Sequence, residues 1–229
     1  MIQEGARTWS SSDPDHSRGK NMIKIVTVER EYGSGGGEIA HQLAERLGWK
    51  LWDQQLTEGI ARLADCPKAI VEVREEKNDP LYYRLFKSFL RGSYEGSINA
   101  HKLKMVDSES IMRITKRVVE QTCTTGKCVI VGRGSQHFLQ NRPNTLRVFL
   151  YAPTEDKVRR LVAGGKSEQE ARELVETVDR DRVDFIQKYF NVEWPARSVY
   201  HVMLNTSVGE ENAVRSILSF KDVIEPSLH

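Results

Sequence analysis

Five short apolar runs, each followed by a turn and then a helical pattern, organise this chain. The first run spans Ile23 to Val28, and the others end near Asp53, Val131, Tyr151 and Asn205. Three of these runs are rich in Val, Ile and Leu, as is typical of strands buried on both faces of a parallel sheet. Apolar residues between the runs recur at helical spacing. The pattern predicts a three-layer α/β fold, in which a five-stranded parallel sheet carries helices on both faces.

The helical patterns have definite starts and ends. We expect helices at about 39–47, 108–122, 154–162, 167–189 and 209–220. Thr154 is the expected N-cap of the third helix, and Ser167 begins a Ser-x-x-Glu capping box at the start of the fourth. Gly48 is the expected C-cap of the first helix.

Composition excludes several kinds of protein. The 229 residues carry a net charge of only +2, so no basic excess indicates a nucleic-acid or membrane surface. No apolar run is long enough to span a bilayer, and the start of the chain does not resemble a secretory signal. Cys66, Cys123 and Cys128 have no metal-ligand spacing, and we interpret them as reduced thiols of a cytoplasmic protein.

A glycine-rich loop joins the first predicted strand to its helix. Four glycines occur between Gly33 and Gly37, where a strand followed by a helix N-terminus can present backbone N–H groups to phosphate. In the pattern G-x-x-x-x-G-K-[ST], however, Gly36 stands at the lysine and Gly37 at the hydroxyl residue. Arg30 or Lys24 would then have to supply the charge, and the hydroxyl would have to come from Ser34 or Tyr32.

A second template also fits the loop. Residues 35–40 read G-x-G-x-x-A, and Asp53 follows at the distance expected of a dinucleotide fingerprint. That fingerprint places its first glycine at the end of the strand, whereas here about six residues intervene. The longer loop favours a phosphate-binding loop over a dinucleotide site.

Charged residues follow other predicted strands. Asp53 ends the second strand, and Arg133 follows the third between two glycines. Because ligands of open α/β sheets bind at the carboxyl ends of the strands, Arg133 is expected to face the same crevice as the glycine loop. The long fourth helix carries the run Arg180-Asp181-Arg182-Val183-Asp184, which can be either a phosphate clamp or an ordinary charged helix face.

Taken together, these motifs resemble the cytidylate kinase-like branch of the P-loop nucleoside monophosphate kinases. The resemblance covers about residues 23–220. It rests on the following segments in this order: Arg30-Glu31-Tyr32-Gly33-Ser34-Gly35-Gly36, Leu51-Trp52-Asp53, Gly132-Arg133-Gly134, Arg180-Asp181-x-x-Asp184, Tyr189, Trp194 and Asn205-Thr206.

The resemblance implies a function and a set of site residues. The function would be phosphoryl transfer from ATP, with Mg²⁺, to a nucleoside monophosphate, most simply CMP or dCMP. Catalytic roles would fall on Arg133, Arg180 and Arg182, and substrate contacts on Asp53, Arg133 and Asp184. The residues of the donor-phosphate site would be Arg30, Tyr32, Gly33, Ser34, Gly35, Gly36, Gly37 and Glu38.

The resemblance also divides the chain. Residues 1–21 are expected to be a disordered tail and 22–229 a P-loop kinase-like domain. Within that domain, 54–122 would form a helical subdomain that binds the monophosphate, and 167–197 a lid. The aromatic stretch at 79–90 is expected to pack in a core or lid.

Three departures from the family pattern leave alternatives open. The loop lacks its lysine, and Glu38 adds a negative charge near the expected phosphates. A lid arginine expected further on falls near Gln187 and Lys188. The rival hypothesis is therefore a nucleotide-binding sensor or regulatory module without kinase turnover. A dinucleotide-dependent oxidoreductase ranks third.

Overall fold

Five parallel strands form the centre of the fold in a computed structural model that describes residues 22–53, 55–56, 59–60 and 108–225. The order across the sheet is β2-β3-β1-β4-β5, and every neighbouring pair is parallel. The predicted parallel sheet is therefore confirmed. The strands are β1 Ile25–Arg30, β2 Lys50–Trp52, β3 Cys128–Val131, β4 Thr145–Tyr151 and β5 Val202–Asn205.

Helices follow the strands much as the spacing predicts. The short helix at Ser135–Phe138 was not predicted, because a single turn is too short to show a helical period. The same holds for two 3₁₀ turns, Arg197–Val199 and Thr206–Val208. The helices are α1 Gly36–Leu47, α2 Ser108–Thr122, α3 Ser135–Phe138, α4 Thr154–Ala163, α5 Glu168–Phe190 and α6 Glu210–Ile224.

Alternate residues of the central strands enter two different cores. On one face, Val26 and Val28 of β1 pack with α1 and α6. On the other face, Ile25 and Ile130 pack with α2. Since successive side chains of a strand point to opposite faces, the continuous apolar runs are explained by cover on both sides.

The helix caps agree only in part with expectation. Ser167 Oγ accepts a hydrogen bond from Glu170 N at 3.2 Å, and Gly48 ends α1 in a left-handed conformation. The prediction for Thr154 was wrong. Thr154 is the first residue of α4, and Pro153 takes the N-cap position without a side-chain hydrogen bond.

Some predictions fall outside the described residues. These are the tail at 1–21, the aromatic stretch at 79–90 and most of the proposed subdomain at 54–122, of which residues 55–56, 59–60 and α2 are described. Among the residues that the structure describes, no helix has the length and apolar character needed to cross a membrane.

The packing of α6 gives a direct test of this fold. Ile217 is 1% exposed in the core beneath α6, whereas Val223 on the same helix is 70% exposed. We expect Ile217→Ala to lower the free energy of unfolding by about 2–5 kcal/mol, because it leaves a cavity. Val223→Ala should change it by less than about 0.5 kcal/mol. Urea denaturation of both variants measures the difference, and equal effects would contradict the placement of α6.

Candidate active site

The glycine loop runs from the end of β1 into the N-terminus of α1. Gly33 and Gly35 have φ angles of +77° and +78°, a conformation that side chains disfavour. Gly35 is the N-cap of α1, and no side chain caps the helix. The N–H groups of the first turn therefore lack both an intrahelical partner and a side-chain cap, which makes them available to an anion.

A cleft of about 610 Å³ opens in front of this loop. Its volume lies within the range of small-molecule sites. From α4, the Arg160 guanidinium reaches the cleft and donates to Thr206 O at 2.9 Å, and Thr206 Oγ1 donates to Ser34 O at 2.7 Å. Thr206, which follows β5, thus connects the loop to Arg160 of α4. The cleft is lined by the loop and by Arg160, Leu161, Ala163, Gly164, Lys166, Arg182 and Glu210.

Arg133 lines a second cavity next to the cleft. This cavity has a volume of about 20 Å³ and so has room for about one water molecule. Gly132, Arg133 and Gly134 all have left-handed φ angles, between +60° and +64°, so the chain turns sharply after β3. Arg133 is buried, and its Nη2 lies 3.8 Å from Asp53 Oδ1 at the end of β2. Burial lowers the pKa of Arg133 to about 10, although the Asp53 carboxylate favours the charged form. Arg133 lines this cavity and not the cleft of the glycine loop, although it was expected to face the same crevice as the loop.

Two arginines line both cavities. Arg30 ends β1 and Arg182 projects from the middle of α5, and each contributes to the wall of the cleft and of the Arg133 cavity. Arg182 Nη1 donates to Arg30 O and to Asp179 Oδ1, both at 2.9 Å. The guanidinium of Arg182 is therefore fixed by the protein itself at the boundary between the cavities.

A buried ion network supports the loop from the side of α4 and α5. Lys157 Nζ lies 2.9 Å from Glu31 Oε2 and 3.4 Å from Asp179 Oδ2, and Tyr32 N donates to Asp179 Oδ1 at 2.8 Å. Burial raises the pKa of Asp179, while Arg182, the Tyr32 amide and Lys157 oppose that shift. Asp179 thus joins the loop backbone to two cations.

The predicted clamp residues divide between two sides of α5. Arg182 is buried, whereas Arg180 and Asp184 are exposed and line neither cavity. Helix geometry gives the reason, because residues two positions apart lie about 200° apart around the axis. The structure does not bring Arg180 and Asp184 to the site, and their assigned roles stay predictions.

The remaining expectations concern Glu38, Asp53 and a bound metal ion. Glu38 is exposed at the mouth of the cleft, where Oε1 accepts from Gln42 Nε2 at 3.0 Å. Asp53 is absent from the cleft wall, which removes the position that a dinucleotide ribose contact would need. Within the described ranges, no group of three or more His, Cys, Asp or Glu side chains could hold a metal ion.

Sequence reasoning missed Lys157, Asp179 and Arg160. Lys157 adjoins the apolar stripe of Val158 and Leu161 on α4, but a lysine at such a position ordinarily keeps its ammonium group in water, so its burial could not be predicted. Asp179 lies three residues before Arg182, a spacing that allows a helical ion pair. No comparable signal marks Arg160.

The comparison with protein families decides the wider relationship. The model of the cytidylate kinase-like family matches residues 25–208, which include the glycine loop, Arg133, Arg182 and the end of β5. The chain belongs to the cytidylate kinase-like family.

A curated cytidylate kinase is a distant relative of this chain. A cytidylate kinase from Methanosarcina barkeri is 24% identical over 94 residues, which are 40% of this chain and 52% of that protein. The chain thus spans about half the length of the curated relative that it matches.

Solved structures share the P-loop kinase fold of this family member. An uncharacterized protein from Eubacterium ventriosum has a TM-score of 0.63 and 20% identity, with 89% of this chain and 99% of that chain covered. A gluconokinase from Sinorhizobium meliloti has a TM-score of 0.52 and 12% identity, with 91% and 97% covered. These similarities establish the fold.

The ion network predicts a pH-dependent effect of removing Lys157. Lys157→Met leaves Glu31 and Asp179 without their shared cation, so we expect a loss of about 1–3 kcal/mol of unfolding free energy at neutral pH. The pKa of Asp179 is already raised in the folded state and should rise further in the variant. The folded variant then binds a proton more tightly than the unfolded chain, so the deficit should shrink between about pH 7.5 and pH 5.

Chemical denaturation at both pH values measures this effect. The matched control is Lys116→Met, since the Lys116 side chain is 57% exposed and its pairing with Glu120 should contribute little. A deficit for Lys157→Met that grows as the pH falls would contradict the assignment of Asp179.

Proposed function

We propose that this protein transfers a phosphoryl group from ATP to a nucleoside monophosphate, with CMP or dCMP as the first acceptors to test. One observation carries the proposal: the cleft of the glycine loop and the cavity of Arg133 share a wall made of Arg30 and Arg182. A donor in the cleft and an acceptor phosphate at Arg133 would meet at this wall.

In this proposal, each group has a definite role. The first-turn amides of α1 hold the donor's phosphates, and Arg133 holds the acceptor's phosphate with its planar fork. An acceptor phosphate oxygen forms a bond to the γ-phosphorus while the bond to the β–γ bridging oxygen breaks, and ADP leaves with that electron pair. The acceptor phosphate needs no general base, because it is already ionised near neutral pH.

Arg182 would act at the point of transfer. Phosphoryl transfer depends mainly on alignment and on positive charge near the transferring oxygens. Asp179 and Arg30 O fix the Arg182 guanidinium beside that point, so little reorganisation is needed during the reaction. The catalytic role of Arg180 and the substrate contact of Asp184 remain part of the proposal, although the positions of the two residues do not support them.

Mg²⁺ is expected with the donor. The ion would neutralise negative charge on the outer phosphates of the donor. Its usual ligands are those phosphates, water and one or two carboxylates. Glu38 and Glu210 line the cleft and are the carboxylates that fit this role.

A second candidate function is nucleotide binding without turnover. The observation that favours it is the pairing of the site's cations, since Arg133, Arg182 and Lys157 each lie near a carboxylate. A phosphate would have to compete with these carboxylates. A nucleotide that raises the melting temperature without any product would favour this function.

The decisive experiment is a turnover assay. The purified protein is incubated with Mg-ATP and each of CMP, dCMP, UMP, AMP and GMP, and the products are separated by chromatography. A nucleoside diphosphate formed from one acceptor, together with ADP, supports the proposal and names the substrate. No diphosphate with any acceptor would reject the kinase function.

Replacing Arg133 by glycine separates its chemical role from its structural role. The backbone at Arg133 is left-handed, so glycine removes strain while the guanidinium is lost. We expect kcat/KM to fall about 10²–10³-fold at a temperature where the variant is folded, and the melting temperature to fall as well, because the buried Asp53 loses its cation. Arg215→Gln on the exposed face of α6 is the control and should retain full activity. Undiminished transfer by Arg133→Gly would remove Arg133 from the mechanism.

A further inference from the structure

We propose that Arg30 and Gly36 have exchanged the roles of the first glycine and the lysine in the phosphate loop. In the pattern G-x-x-x-x-G-K-[ST], Arg30 stands at the first glycine and Gly36 at the lysine. The Arg30 guanidinium then supplies, from the end of β1, the positive charge that the lysine supplies elsewhere. This inference rests on the proposed function and assigns the cation to the donor's outer phosphates.

Gly36 is a glycine because of space. Its φ angle is not left-handed, unlike those of Gly33 and Gly35, so its backbone would accept any residue. A Cβ atom at Gly36 would lie 2.6 Å from Arg30 Cβ and 2.9 Å from Arg30 Cγ. Such contacts do not occur, so no lysine can occupy position 36 while Arg30 keeps its present position.

A second glycine makes room for the other end of the same side chain. A Cβ atom at Gly132 would overlap Arg30 Nη1. Gly132 follows directly after β3 and does not belong to the glycine loop. Two glycines from separate segments therefore accommodate one arginine. An arginine needed only for surface charge would require neither.

The surroundings of Arg30 leave one side of its guanidinium for a ligand. Nη1 lies 3.7 Å from Glu29 Oε1, while the buried Nη2 has no hydrogen-bond partner among the described residues. Leaving a buried donor without an acceptor costs about 1–3 kcal/mol. Since Arg30 lines both cavities, a phosphoryl oxygen at their boundary would satisfy Nη2.

Charge supports the same assignment. Burial lowers the pKa of Arg30, and the neighbouring Arg182 lowers it further, while Asp53 and Glu29 oppose the shift. Arginine nevertheless stays protonated in proteins, so the guanidinium carries its charge into a site with a second cation beside it. A phosphoryl group at the boundary would relieve the repulsion between Arg30 and Arg182.

The competing explanation is purely structural. Arg30 would then only pair with Glu29, whose other oxygen accepts from Gln136 Nε2 at 2.9 Å, and so help to join β1 to α3. That role affects stability but does not distinguish ATP from ADP. The affinity for the two nucleotides separates the explanations.

The test is a cycle of three variants: Arg30→Gln, Gly36→Lys and the double variant Arg30→Gly with Gly36→Lys. Dissociation constants for ATP and ADP are measured by calorimetry, beside the rate of transfer and the melting temperature. We expect Arg30→Gln to weaken ATP about tenfold or more, to affect ADP less and to lower kcat about 10²-fold. Gly36→Lys alone should impair ATP binding, because the new side chain collides with Arg30.

The double variant is the critical arm, because it restores the first glycine and the lysine of the ordinary loop pattern and removes the collision. Its affinity for ATP should return to within about threefold of the wild-type value. Failure of a folded double variant to recover, or unchanged ATP affinity and turnover in Arg30→Gln, would overturn the exchange. Arg215→Gln is again the control. If Arg30→Gln does not fold, Arg30→Lys replaces it, because lysine keeps the positive charge. Loss of ATP affinity in folded Arg30→Lys would also count against the exchange, unless the double variant recovers that affinity.

The two proposals can fail separately. If the wild-type protein forms no diphosphate with any acceptor, the proposed kinase function fails. The ATP and ADP affinities of the same variants would still decide whether Arg30 replaces the lysine.

Discussion

The carboxylate of Asp179 is the contact on which the site depends. It accepts from the backbone N–H of Tyr32 in the glycine loop and pairs with Lys157 of α4 and Arg182 of its own helix. One partly buried group thereby contacts both the backbone of the loop and the side chain of Arg182. Burial disfavours a charged Asp179, so the network is stable only when all three partners are present. The position of α5 and the shape of the loop are consequently coupled.

This coupling changes how a lid can work here. Arg182 is held by Asp179 and by Arg30 O, so the middle of α5 is joined to β1 and to the loop. A rigid swing of the whole helix would break these bonds and release the loop at the same time. Under the proposed kinase function, closure over a nucleotide would therefore have to come from segments that are not tied to the loop, with Arg182 staying in place.

The sequence predicted the sheet and placed Asp53 and Arg133 after two of its strands, because both placements follow from general rules. Buried parallel strands have a distinctive composition, and their carboxyl ends must lie along one edge of the sheet. The choice between Arg180 and Arg182 depended on the rotation of one helix, which a charged run does not reveal. Lys157 and Asp179 were missed because their roles depend on contact between α4, α5 and the loop, which local patterns do not specify.

Glycine has two different physical roles in this loop, and the distinction matters for judging its chemistry. Gly33 and Gly35 are needed for backbone conformation, Gly36 is needed for the space that Arg30 occupies, and Gly132 is needed for both reasons. From the sequence, Gly36 looks like the simple loss of a lysine and hence of activity. In the structure, the same glycine is a consequence of a cation placed six residues earlier, at the end of β1. A missing lysine in a phosphate loop is therefore an argument against catalysis only after the neighbouring strand end has been searched for a compensating charge.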